Sequence, residues 1–223
     1  MKNNFTLSLI IVFILLIGTN IIYSKSNFLV TGGLVLPNSE VSNVFNSTTI
    51  KTSDTNNPVI NITNPDLGAA YSIAAKLSFK LSEDAIFWGG FGLIKFAKFN
   101  YDLLNPAKNE NAGYIVSQTS IYPLNAGVNY YIFDNSYSIY GIGNLSYNFI
   151  TSTFNTVNSK ITIPVGKNIT DTRLGYSVGI GFELPLEKLS IVMEAIYSDL
   201  NYIGKDTKEN TKSIINLCAG FRF

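Results

Sequence analysis

Residues 174–184 alternate without a break. Leu174, Tyr176, Val178, Ile180, Phe182 and Leu184 fall on one side of an extended chain, and Gly175, Ser177, Gly179, Gly181 and Glu183 on the other. A period of two is the mark of a strand with one apolar face. Residues 69–81 repeat it, with Tyr71, Ile73, Ala75, Leu77 and Phe79 opposing Ala70, Ser72, Ala74, Lys76, Ser78 and Lys80. Residues 189–198 do so again, with Leu189, Ile191, Met193, Ala195 and Tyr197 against Ser190, Val192, Glu194, Ile196 and Ser198. No stripe with the helical period of 3.6 competes with this pattern, and the chain after residue 24 lacks the ~18 consecutive apolar residues of a spanning helix.

The alternation predicts eight strands, at about 27–36, 68–81, 85–98, 115–132, 137–149, 173–184, 189–199 and 212–223. The third has no assignable outward side, because Lys95 and Lys98 fall on opposite faces. The fourth carries Pro123, which cannot donate to a ladder and so belongs at a rim or edge. Connections alternate in length. Residues 82–84, 133–136 and 185–188 are hairpin turns, whereas 37–67, 99–114, 150–172 and 200–211 read as long loops. Short turns at one end and long loops at the other are the layout of a barrel standing in an outer membrane.

The N-terminus reads as a targeting signal. Lys2 precedes nine uninterrupted apolar residues, Leu9 to Ile17, and Gly18, Thr19 and Asn20 then break the run. This is the order of a secretory signal peptide. Cleavage after Ser24 is expected, which assigns residues 1–24 to the signal peptide and 25–223 to a single barrel domain. Counted as one stretch, Phe5 to Tyr23 reaches spanning length, so an uncleaved anchor is the competing reading.

Composition excludes several chemistries. Only 14% of residues are charged, against 46% hydrophobic, where soluble domains carry roughly 25% charge. Sixteen Lys and Arg against fifteen Asp and Glu leave no field to attract nucleic acid. The chain has no His, which removes a Ser-His-Asp triad, a His-ligated zinc and a His pH switch. Its single Cys removes an intrachain disulfide and a Cys-rich metal site. No cofactor or metal is implied.

Alternation alone fits both a membrane barrel and a lipocalin-like soluble barrel. Outward apolar faces are favoured by glycines and small residues on the polar faces, by aromatics near strand ends such as Tyr71, Tyr130, Tyr147 and Tyr197, and by uncharged polar loops. Val178 and Ile191 are then expected to face lipid near mid-membrane. The tail Asn216-Leu-Cys-Ala-Gly-Phe-Arg-Phe223 alternates Leu217, Ala219, Phe221 and Phe223 and closes on an aromatic. It resembles the C-terminal assembly signal of bacterial outer-membrane proteins. The stretches Pro123–Ile132 and Tyr140–Tyr147 resemble the central hairpin of the outer-membrane β-barrel domain family, which includes the small OmpA- and OmpX-type barrels. The resemblance implies an all-β, eight-stranded antiparallel up-and-down transmembrane barrel in the outer membrane of a Gram-negative-type bacterium. It also implies contact with the barrel-assembly machinery through the last strand, and with outer-membrane lipid. It implies no molecular activity.

Inward charges are expected at Lys76, Lys80, Glu183, Glu194 and Arg222. An eight-stranded lumen is just wide enough for side chains, so these groups should pair and plug it rather than line a selective pore. Lys76 and Glu194 lie at similar depth above their turns, Lys80, Glu183 and Arg222 lie near the turn-side end, and Lys95 is a further candidate for the same interior. Glu183 and Glu194 could be imagined as a catalytic carboxylate pair, but no cleft is evident and no enzymatic role is expected. Cys218 reads as a small lumen filler. Sequons at Asn46, Asn61, Asn144 and Asn168 are a cheap match in a chain with 26 Asn. The expected role is structural or surface-interacting, with an extracellular ligand met at 37–67 and 150–172. The alternatives are a porin-like channel for small solutes and a secreted soluble barrel holding an apolar ligand.

Overall fold

The computed structural model describes residues 27–38, 41, 49–51, 59–63, 70–105, 110–157, 168–204 and 210–223. Residues 1–24, read above as a signal peptide, lie outside the described residues. All regular structure among those described is strand: β1 (Asn27–Pro37), β2 (Thr49–Lys51), β3 (Val59–Thr63), β4 (Ala70–Lys80), β5 (Ala85–Phe96), β6 (Phe99–Asn105), β7 (Glu110–Asp134), β8 (Ser138–Val157), β9 (Asn168–Pro185), β10 (Ser190–Ile203) and β11 (Ser213–Arg222).

Eight of these close into an antiparallel barrel in the order β1-β4-β5-β7-β8-β9-β10-β11. β1 completes the ring by pairing with β11 from Leu29↔Arg222 to Pro37↔Ile214. Phe28 and Phe223 exchange backbone hydrogen bonds of 3.2 and 2.8 Å at the turn end of that seam. Closure leaves the wall without a free edge, as a backbone in hydrocarbon requires. At the loop end asparagines extend the ladder. Asn38 Nδ2 donates to the Thr211 carbonyl at 2.9 Å, and Asn201 Oδ1 accepts from the Lys212 amide at 2.8 Å.

The apolar faces point outward. Leu34, Ile73, Phe91, Leu145, Val178, Ile180 and Leu217 are exposed, while Thr31, Ser72, Ser146, Ser177 and Ser198 are buried inside. Tyr122, Leu124, Val128, Tyr130 and Ile132 continue this uncharged surface along β7. From Tyr122 to Ile132 the strand covers ~33 Å at ~3.3 Å per residue. Tilted by about 40°, that is an apolar band roughly 25 Å tall, the height of a membrane barrel's belt. A water-soluble barrel would turn this face inward. Val178 is 52% exposed and sits mid-strand. Ile191 does not: it pairs with Leu184 and Phe221 at the turn-side border, because β10 begins one residue earlier.

Three further corrections concern the strands. The segments 37–67 and 99–114, read as loops, contain β2, β3 and β6. β6 pairs with the far half of β7, β3 with β6 and β2 with β3. β7 and β8 run 25 and 20 residues, far beyond the ~9–11 a span needs. A short sheet therefore rises from one side of the barrel rim. Beyond lipid a strand needs a hydrogen-bonded neighbour but not an apolar outer face, so the alternation that marks the spans fades there. Pro123 sits in the barrel wall rather than at a rim. The β5–β7 ladder skips Tyr122 and Pro123, and a side chain at Gly92 would lie 3.4 Å from the Pro123 ring. The missing donor is thus absorbed by a local gap. The third span, finally, has an outward face. Trp88, Ile94 and Phe96 are buried inside and Phe91 faces out, which puts Lys95 outward and leaves Lys98 exposed beyond the strand end.

Candidate functional site

Among the described residues, the barrel interior buries Lys76, Glu183, Glu194 and Arg222 together. Inward positions on neighbouring strands are matched in size. Tyr140 lies opposite Gly181, Lys76 opposite Gly90 and Cys218 opposite Gly33. A Cβ on Gly181 would run into the Tyr140 ring, and one on Gly90 would lie 2.5 Å from the Ala75 carbonyl oxygen and 3.2 Å from Lys76 Cγ. The glycines therefore create the volume that the large polar side chains occupy.

Two ion pairs cross this space. Lys76 Nζ on β4 is 2.6 Å from Glu194 Oε2 on β10. Tyr140 Oη donates to Glu194 Oε1 at 3.1 Å, and Cys218 Sγ lies 3.7 Å from Oε2. Nearer the turns, Arg222 Nη1 on β11 is 2.5 Å from Glu183 Oε2 on β9. Arg222 also donates to Tyr131 Oη at 2.6 Å, and that hydroxyl donates to Glu183 at 3.1 Å. The Tyr131 and Tyr140 rings, 5.1 Å apart, join the two pairs. Lys76 Nζ sits 4.6 Å from the centre of the Trp88 ring, whose Nε1 donates to Asn129 Oδ1 at 2.8 Å. Leu29, Ile142, Val192 and Ile196 fill the remaining space.

The result is a solid cross-section. On its loop side lies a half-open pocket of about 70 Å³ lined by Ser72, Asn144, Ser146, Asn148, Ser177 and Ser198, with Lys76, Trp88 and Glu194 as the floor. On its turn side an open vestibule of about 400 Å³ ends on Tyr131, Glu183 and Arg222. Lys80, expected among the inward charges, is the last residue of β4, exposed and part of the vestibule lining. Burying both members of a pair is tolerable only when each is compensated. Here each carboxylate accepts from a cation and from a tyrosine, which leaves neither carboxylate uncompensated.

Sequence reasoning named the four charges of these two pairs but missed the buried Arg173 and Asp199, and missed Trp88, Tyr131 and Tyr140. For Trp88 and Tyr140 the signal was indirect, an inward glycine directly opposite, Gly127 and Gly181; Tyr131 lies opposite Tyr140 and had no such mark. Of the C-terminal residues, Leu217, Phe221 and Phe223 are exposed on the outer wall, as is Ala219.

No protein-family model matches the chain, and no curated protein matches it in sequence. Solved structures do match in shape. Neisserial surface protein A superposes with a TM-score of 0.57 at 13% identity, covering 89% of this chain and 97% of that one. A major outer membrane protein of Thermus thermophilus gives a TM-score of 0.52 at 14% identity, covering 89% and 100%. At such identities the likeness concerns the fold, and the fold is that of an outer-membrane β-barrel.

Proposed function

We propose that this outer-membrane barrel acts as a closed structural anchor in a Gram-negative-type bacterium and presents an interaction surface above its loop-side rim. The observation that carries this reading is the plug. Two ion pairs, bridged by Tyr131 and Tyr140, cross the lumen between facing strands. In this reading the interior is sealed, and the parts left for function are those that project, namely the β2-β3-β6 extension and the upper halves of β7 and β8. One of the proteins of similar fold is, by its name, a surface protein. Engagement of Glu183 and Glu194 by Arg222 and Lys76 supports a structural rather than catalytic use of both carboxylates. In this reading Leu217, Ala219, Phe221 and Phe223 form the strand face met by the assembly machinery, and residues 37–67 and 150–172 meet the extracellular ligand.

Two measurements test the reading. Purified protein in planar bilayers should show no steady conductance, and a large voltage-independent current would replace this reading with that of a porin. Protease added to intact cells should cut within 39–67 or 158–167 and leave the barrel whole. Cleavage only after the outer membrane is opened would overturn the orientation.

A further inference from the structure

The lipid-facing wall is nearly free of charge. Above the turn-side aromatics, Lys95 is the one accessible charged side chain among the outward barrel positions whose side chains are described; Asp199, on β10, is buried. Lys95 lies next to the loop-side end of β5. The register sets Tyr71 of β4 on one side of it and Ser120 of β7 on the other, each about 5 Å away at the Cα. The row continues through Thr151 of β8 and Thr170 of β9. Tyr71 and Thr170 are exposed, and Lys95, Ser120 and Thr151 partly so. The row borders the loop-side aromatics Tyr122 and Tyr147. No ion pair among the described residues holds Lys95, and Lys98 is exposed three residues on.

We infer that Lys95, with the hydroxyls of Tyr71 and Ser120, binds the phosphate of an anionic lipid in the leaflet on the loop side. The chemistry is complementary. Every polar group in the row can donate, one carries a positive charge, the row itself holds no acid, and the neighbouring Asp171 is engaged by Arg173. Aromatic belts mark where hydrocarbon gives way to headgroups, so a cation beside the belt meets lipid phosphate rather than acyl chains. A lysine there reaches polar headgroups with its ammonium while its stem lies along the apolar wall. This inference rests on the membrane-barrel reading of the exterior.

The test is lipid retention by the full chain, measured by native mass spectrometry after release from nanodiscs of phosphatidylcholine with and without phosphatidylglycerol. Wild type and Lys95→Arg should retain phosphatidylglycerol over phosphatidylcholine by about fivefold, the attraction of one cation near an anionic surface. Lys95→Gln should lose that preference, and Lys188→Gln, at the turn-side mouth, should keep it. Equal retention by wild type and Lys95→Gln would overturn the site. Displacement by excess inorganic phosphate would show that the row takes a free anion instead, and would overturn the lipid assignment. Failure of the wild-type chain to enter nanodiscs at all would count against the membrane barrel itself.

Discussion

Removing the Glu194 carboxylate is the sharpest probe of the plug. Its side chain is fully buried and that of Lys76 is 8% exposed, so the pair is shielded from water and from screening by salt. In Glu194→Ala, Lys76 loses its 2.6 Å counter-ion, and Tyr140 loses the acceptor of its 3.1 Å hydrogen bond. Leaving one partner of a buried pair costs about 3–5 kcal/mol. The Trp88 ring beneath the ammonium offsets this by roughly 0.5–2 kcal/mol. The expected loss is thus about 2–4 kcal/mol. Lys76→Met combined with Glu194→Leu should restore most of it, since an apolar pair of similar size often substitutes without loss. The assay is urea unfolding in lipid vesicles, followed by the fluorescence of Trp88, the only tryptophan in the chain and one that lies against Lys76. If Glu194→Ala unfolds at the wild-type midpoint, the interior is wet and the plug argument fails. If the double variant costs the sum of the two singles, the residues are not coupled.

Other perturbations separate the two faces of the wall. Gly181→Ala drives a methyl group into the Tyr140 ring, whereas a Cβ on Gly141 meets nothing within 4 Å; the first should lose about 1–3 kcal/mol and the second almost nothing in the same unfolding assay. Val178→Arg places a charge on a half-exposed, mid-strand lipid contact and should cost about 2–4 kcal/mol near the midplane, a result refuted by unchanged stability in vesicles. Deleting Phe221 to Phe223 removes the Leu29↔Arg222 and Val30↔Phe221 pairs that close the ring. Membrane insertion, read as heat-modifiable migration, should fall far more than on trimming 205–209.

The eight spans were legible because each crosses lipid, and lipid imposes one rule on every outward position from Leu34 to Leu217. The third span obscured the rule. Its inward face holds Trp88, Ile94 and Phe96, so both faces read as apolar and the outward lysine looked anomalous. The β2-β3-β6 extension was illegible for the opposite reason. Strands such as Val59–Thr63 stand beyond the belt, where pairing rather than periodicity holds them. Among the site residues, charge drew attention to Lys76 and Glu194. Tyr131 and Tyr140 sat unremarked among other tyrosines, because only the cross-strand register reveals that Tyr140 faces a glycine.

The seam between β1 and β11 has a topological meaning. Asn27 lies beside Phe223 at the turn-side vestibule, and Phe28, the next residue, exchanges backbone hydrogen bonds with Phe223. The connectivity of the wall is therefore circular in all but one covalent link. A short linker from Phe223 to Asn27 would leave every pairing intact, and the chain could instead be opened at Ser82–Asp84 or Leu186–Lys188. Such permuted chains keep the same ring with a different strand at each terminus. Fusions placed at either native end of the barrel emerge side by side in one compartment, opposite the projecting sheet.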